Sequence, residues 1–204
     1  MTDDFQHDFT KSEVREGIDL CLKKVRKLLK DAEYLIDNKV ESAHALGLYT
    51  FALEEYGKAL LLGDCCNKTG TNIKIPKWIF AKGEDYDLRK KSHDLKIDRA
   101  SDELPDNKKM MVGVVRDKPA TIDKPTVLRF RDGGGFTGHG SATGIFMTDN
   151  PANFEVRMKS FYVDWDEKTN QWNLELTAYE EYLKKAITQF RTKLDTTTSQ
   201  TLCP

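Results

Sequence analysis

Three formally charged side chains, Glu54, Glu55 and Lys58, sit inside the apolar run AHALGLYTFALEEYGKALLL at 43–62. Lys and Glu are rarely buried unless paired, so three of them there imply a satisfied network or a working site. On a helix turning about 100° per residue, Glu54 and Lys58 fall about 80° and 120° from Leu46, and Glu55 about 180° away. Glu54 and Lys58 form an i,i+4 pair in the favourable order. Phe51 and Leu62 lie close to them in angle, which predicts a partly buried network. A second set lies in LRKKSHDLKIDRASDE, where Arg89, His93 and Lys96 are four and three residues apart and share one helix face, with Asp94 beside them. Flanking cations favour a neutral imidazole that can accept a proton, and they could also hold a phosphate. His as general base with Arg or Lys on the phosphate suits phosphodiester cleavage without a metal.

Helices must position these groups. Residues 12–38 read as an amphipathic helix with Ser12 as N-cap. Ile18, Leu22, Val25, Leu29, Ala32 and Ile36 recur at three- and four-residue steps, and a solvated basic face lies opposite. Residues 40–67 form a second helix. Leu46, Leu53 and Leu60 run along it beside a small-residue row, Ala45, Ala52 and Ala59, which suits close approach within the chain or in a dimer. The link Asp37–Lys39 makes the two an antiparallel hairpin. Residues 68–87 read as a loop with one helical turn around Trp78, Ile79 and Phe80. Residues 88–103 are a third helix, and 177–194 the last one, with Ala178, Tyr182, Ile187, Phe190 and Leu194 as its apolar set. Between them, residues 105–153 carry prolines, short β-prone pieces and a Gly-rich stretch at 133–144. Residues 154–175 read as a β-hairpin turning at Asp166–Asn170. The fold expected is mainly α: about four bundled helices in one domain over 10–195, with a β-hairpin and irregular insertion at 105–175 before the last helix. The tail at 196–204 reads as disordered.

Composition narrows the function classes. The chain has 204 residues and net charge −1, so no global basic field advertises nucleic acid. The N-terminus lacks an apolar secretory segment, and the charges at 54–58 argue against a membrane span. Cys21, Cys65, Cys66 and Cys203 form no C-x-x-C pair, so neither a zinc site nor a disulfide framework is expected, and Cys65 and Cys66 read as reduced thiols in a cytoplasmic protein. No G-K-[ST] follows the glycines, so that stretch reads as a flexible loop. His139 in it is a weak ligand candidate. Nearby Lys124, Arg129 and Arg131 form a local basic patch that could touch RNA. Without an E-x-x-H motif a di-metal carboxylate site is not expected. Phe161, Tyr162, Trp165 and Trp172 read as a cover for the bundle.

The central helix reads S-A-H-A-L-G-L-Y-T-F-A-L-E-E-Y-G-K-A, followed by H-D-L-K and, before the last helix, by F-Y-V-D-W and Q-W. In this order and over residues 12–192 the chain resembles the AbiV-type abortive-infection proteins of the HEPN superfamily. The resemblance implies a small cytoplasmic prokaryotic protein that resists phage by shutting down the infected cell. Many HEPN relatives are metal-independent ribonucleases with an Arg, four to six residues, then a His. The nearest match here, Arg89 to His93, has three intervening residues, and Leu88 stands where the shortest usual spacing would put Arg. Two readings follow. One is a ribonuclease or toxin with His93 as its catalytic group. Arg89, Lys96, Lys58 and Glu54 then serve as electrostatic and orienting partners, and Glu55, Asp94, Tyr162 and Asp164 as support. The other is a non-catalytic module of the same fold that binds a phage or host protein. Neither calls for a cofactor, a metal or a membrane, and HEPN domains often pair, so a homodimer is expected.

Overall fold

A computed structural model describes residues 5–40, 42–68, 72–80, 86–104, 110–114, 126–129, 135–138, 144–148, 164–166, 171–173, 176–178 and 180–204. Helix α1 spans Lys11–Asp37 and buries the apolar face the sequence lays out, from Val14 and Ile18 to Ala32 and Ile36. Its N-cap is Thr10, not Ser12, because Glu13 stands three residues later and closes a capping box. Asn38 caps the other end, and the turn continues through Lys39 at φ 51°. Helix α2, Ser42–Cys66, follows as the central helix. Leu46, Leu53 and Leu60 are buried, and so are Ala45, Ala52 and Ala59. The alanine row is therefore closed over within one chain.

Helix α3 spans Tyr86–Glu103 and α4 spans Glu180–Asp195. Ile97 and Ala100 of α3 enter the core with Leu183, Ile187, Phe190 and Leu194 of α4. Phe190 meets Tyr49 and Tyr56 edge-on, with ring centroids 6.1 and 5.0 Å away. Ion pairs stitch the helices at their edges. Arg99 of α3 reaches Asp64 of α2 at 2.8 Å, and Lys193 of α4 reaches Glu103 of α3 at 2.8 Å. Lys193 holds the Glu103 carboxyl below its ordinary range.

The segment at 68–87 holds more than the expected turn. Strand β1, Phe5–Phe9, pairs antiparallel with β2, Ile73–Pro76, and a 3₁₀ turn follows at Lys77–Phe80. In the insertion, β3 (Met110–Val114) lies between β6 (Gly144–Thr148) and β9 (Leu176–Ala178), antiparallel to both. Strand β4 (Thr126–Arg129) pairs with β5 (Gly135–Gly138). The Gly-rich stretch read as a loop thus contributes strand residues, because Phe136 and Thr137 supply β-prone positions opposite Leu128 and Val127. The expected hairpin is present as β7 (Asp164–Asp166) and β8 (Gln171–Asn173), with Trp165 opposite Trp172. The rest of 105–175, including Phe161, Tyr162, Lys124, Arg131 and His139, lies outside the described residues. Ala178 belongs to β9 and not to the last helix: Leu176–Ala178 extends along β3, and the helix starts only at Glu180.

The tail departs most from expectation. Residues 196–204 are ordered: Thr198 caps a short helix α5, Ser199–Leu202, and Cys203 is fully buried. Three ties from distant segments hold it. Arg15 Nε donates to the Cys203 carbonyl at 2.7 Å, Asn67 Nδ2 donates to the Leu202 carbonyl at 3.1 Å, and Cys203 is disulfide-bonded to Cys66. The polar, threonine-rich composition that reads as disorder supplies caps instead, and the anchoring contacts are invisible to local reading. Cys65, like Cys21, is a buried free thiol.

Candidate functional site

The charged residues of α2 and α3 meet where these helices cross. Gly57 makes that crossing possible. A Cβ built on it would lie 1.7 Å from the Lys96 carbonyl oxygen, so the α3 backbone rests directly on the α2 glycine. One turn earlier, the Glu54 carboxylate faces α3. Its Oε1 meets His93 Nδ1 and lies 3.9 Å from Lys96 Nζ. The Glu54 and Lys96 side chains are 10% and 6% exposed, whereas the His93 side chain is 19% exposed. The imidazole is thus the member of the trio that reaches solvent. A proton at Nδ1 donated to an ionised Glu54 carboxylate makes Nε2 the acceptor nitrogen of the ring.

Glu54 turns to α3 rather than to Lys58, so the i,i+4 pair of the sequence reading is not the contact formed. Lys58 Nζ lies 5.6 Å from the centroid of the Phe80 ring, in the cation–π range. Phe80 closes the 3₁₀ turn, against Phe9 of β1 at 6.1 Å. The same turn is fastened to α3, because the buried Ser92 hydroxyl donates to the Trp78 carbonyl at 2.6 Å. The residue beside His93 is thereby fixed, and with it the start of the site.

Glu55 lies near the Cys21 thiol of α1. Burial above all pushes that thiol up to about 12; Lys58 pulls it down and Glu55 pushes it further up. Cys21 therefore stays a neutral thiol near pH 7 and is no nucleophile. Sequence reasoning missed Cys21 and Gly57. Cys21 could have been found, since it lies three residues after Ile18 and four before Val25, on the buried face of α1. Gly57 had only its mid-helix position as a signal.

Arg89 lies one turn before His93 on α3, and Asp94 is half-buried beside it. The Arg89 side chain and Tyr162 lie outside the described residues. Asp164 pairs with Asn173 across the β7–β8 hairpin.

A family model described as AbiV matches residues 13–193, nearly the whole span from α1 through α4. The chain belongs to the HEPN_AbiV family. No curated protein and no solved structure matches it. The HEPN_AbiV match covers Glu54, His93 and Lys96 and stops short of α5 and Cys203. The disulfide-tied tail lies beyond the matched span. No helix among the described residues is long and apolar enough to cross a membrane, and no cluster of His, Cys, Asp and Glu among them is suited to a metal.

Proposed function

We propose that this HEPN_AbiV protein acts in the cytoplasm in abortive infection as a metal-independent endoribonuclease, with His93 as its proton-accepting group. The observation that carries this reading is the pairing of His93 with the buried Glu54, which leaves the ring as the exposed member of a three-residue charge cluster. His93 takes the proton of an RNA 2′-hydroxyl, and the oxygen attacks the adjacent phosphorus. The bond to the 5′-oxygen breaks, and the imidazolium returns the proton to that leaving oxygen. The products are a 2′,3′-cyclic phosphate end and a 5′-hydroxyl end. Glu54 orients the ring and stabilises the imidazolium, and Lys96 offsets the buried carboxylate's charge. Arg89, one turn away, supplies the cation for the scissile phosphate.

The test is cleavage of single-stranded RNA in EDTA by wild type, His93→Ala and Glu54→Gln, with helical content checked by circular dichroism. Loss of a general base slows cleavage by about 10²–10⁴. A wild type that does not cut, or a folded His93→Ala that cuts equally well, overturns the reading. The alternative is a non-catalytic module that binds a phage or host protein. It draws on the deep burial of Glu54 and Lys96, which suits a structural tie equally well. Capture of a specific protein from infected cells by both wild type and His93→Ala is its own test.

A further inference from the structure

The disulfide joins two points that other contacts already connect by a longer route. Cys66 ends α2 and bonds Cys203, 137 residues later. Two residues before it, Asp64 takes Arg99 of α3 at 2.8 Å. Arg99 also pairs with Glu103 at 3.2 Å, and Glu103 with Lys193 of α4 at 2.8 Å. The buried Thr197 hydroxyl donates to the Lys193 carbonyl at 2.9 Å, and the chain runs on from there to Cys203. These links close a ring through α2, α3, α4 and the tail, with the S–S bond as its cross-link. The ring adjoins the site on both helices. Arg99 lies one turn after Lys96 on α3, and Tyr56, whose hydroxyl is 3.4 Å from Thr197 Oγ1, stands next to Gly57 on α2. The tail has few other holds. Leu202 and Cys203 are the only apolar side chains it lends to the core, α5 is a single turn, and Arg15 and Asn67 take two of its carbonyls. Ordering these residues against chain entropy therefore leans on the bond to Cys66.

We propose that the Cys66–Cys203 bond is a thiol-reversible latch on the α2–α3 crossing. The inference rests on the cytoplasmic ribonuclease reading for its compartment and its cleavage readout, since disulfides that form in a cytoplasm are mostly transient or redox-sensing. Cys66 is partly exposed and Cys203 fully buried, so an incoming thiolate approaches from the Cys66 side. A low-molecular-weight thiol of the glutathione class attacks Cys66 Sγ as its thiolate, the S–S bond breaks, and Cys203 leaves as a thiolate that takes up a proton. A second thiolate attacks the small thiol's sulfur in the mixed disulfide. Cys66 leaves and is protonated, and the two small thiols depart as their own disulfide. The protein gains two electrons and two protons, and the reverse exchange remakes the latch. Cys65 does not compete, because burial raises its thiol and keeps it neutral. Oxidised, the ring holds α3 on Gly57, with Glu54, His93 and Lys96 together. Reduced, the tail leaves Gly63, where a Cβ would lie only 2.9 Å from the Leu202 carbonyl oxygen, and Thr197 leaves Tyr56. The α3 end of the ring then loosens one turn from Lys96.

The experiment equilibrates the full chain in glutathione buffers from fully reduced to fully oxidised. Samples are quenched in acid and denatured, and maleimide-reactive thiols are counted by mass. The count should move reversibly between two, Cys21 and Cys65, and four. A count that stays at two in reduced glutathione, or at four in the oxidised buffer, overturns the inference. Hydrogen exchange is then read by mass spectrometry in each state. Reduction should speed exchange at least about tenfold in residues 196–204, and measurably in 97–103 of α3. A tail that opens while 97–103 stays unmoved makes the bond a staple of the tail alone and overturns the inference. Cleavage of single-stranded RNA in EDTA should be about 10- to 100-fold faster in the oxidised protein, the scale set by ångström-sized misplacement of a reacting group. Cys203→Ser should match reduced wild type in both buffers. Cys66→Ser is the second variant, and circular dichroism shows whether each is folded; the two redox states of wild type test the latch without either. The two readings fail separately. No cleavage in either state, with redox-dependent exchange in 97–103, removes the nuclease and keeps the latch. Equal cleavage in both states removes the latch and keeps the nuclease.

Discussion

Alanine should act with opposite sign at two helical glycines. In a helix interior Gly→Ala ordinarily stabilises by about 1 kcal/mol, through backbone entropy. At Gly17 of α1 the new Cβ would sit 3.6 Å from Leu62 Cδ1, an ordinary contact, so that gain should appear in full. At Gly57 the Cβ would meet the Lys96 carbonyl oxygen at 1.7 Å and its carbon at 2.5 Å. These are backbone atoms, so no rotamer relieves the overlap. To reach the 3.4 Å of ordinary contact, α3 must withdraw by about 1.7 Å. Overpacking of this kind costs about 3 kcal/mol, which outweighs the propensity gain and leaves a net loss of about 2 kcal/mol. In a chain of this length that is about 4–8 °C in Tm, against a rise of about 2–4 °C for Gly17→Ala.

The displacement also has a local signature. Lys96 Nζ is already 3.9 Å from Glu54 Oε1, and the His93 contact lies one turn away on the same helix. A shift of α3 by more than an ångström opens both. Thermal melts followed by circular dichroism give the stability difference, and NMR of the His93 ring reports the loss of its carboxylate contact. Gly57→Ala melting at or above wild type, alongside a stabilised Gly17→Ala, would refute the close helix crossing and the site geometry that depends on it.

Two further outcomes follow from the buried cysteines and the tail. The folded-state thiol of Cys21 is raised from 9.0 to about 12, so its contribution to stability is complete below pH 9 and declines as pH rises toward 12. By pH 11 the loss is about 2–3 kcal/mol, and urea titrations at pH 8 and 11 should show a smaller alkaline loss in Cys21→Ala; equal losses would contradict the assignment. The Cys66–Cys203 disulfide closes a sequence separation of 137 residues, and its removal should cost about 2–4 kcal/mol. Reductant should lower Tm by about 4–16 °C in wild type and leave Cys203→Ser unmoved, and a wild-type Tm indifferent to reductant would count against the tie.

What could be read from the residues follows the range of the forces involved. The buried face of α1 was legible because a 3.6-residue period is local, and the Thr10 cap was equally available in the T-x-x-E spacing of Thr10 and Glu13. Strand β1 was not legible. FQHDF carries no clear alternation, and its identity depends on pairing with IKIP more than sixty residues later. The tail failed for the same reason, since Arg15, Asn67 and Cys66 hold it from outside its own composition. At the site, charges on an apolar helix single out Glu54 and Lys58 as candidates, and shared-face spacing on the charged third helix singles out Arg89, His93 and Lys96. Their partnering was not legible, because helix angles alone place Lys58 as near to Glu54 as any residue of α3. The crossing at Gly57 decides between them by bringing α3 within reach.

The run Glu54-Glu55-Tyr56-Gly57-Lys58 therefore faces several neighbours rather than forming one patch. Successive residues diverge by about 100°, so Glu54 meets α3, Glu55 lies near Cys21 on α1, and Tyr56 reaches Thr197 beyond α4 at 3.4 Å. Gly57 admits the α3 backbone, and Lys58 turns to Phe80. Adjacent carboxylates of the same kind thus face different helices and see different partners. Only Glu54 touches a group that can exchange a proton and reach solvent. A charge count over the motif cannot distinguish the two glutamates, but the turn of the helix does. In the proposed ribonuclease, that difference assigns the proton transfer to His93 rather than to the buried Cys21 thiol.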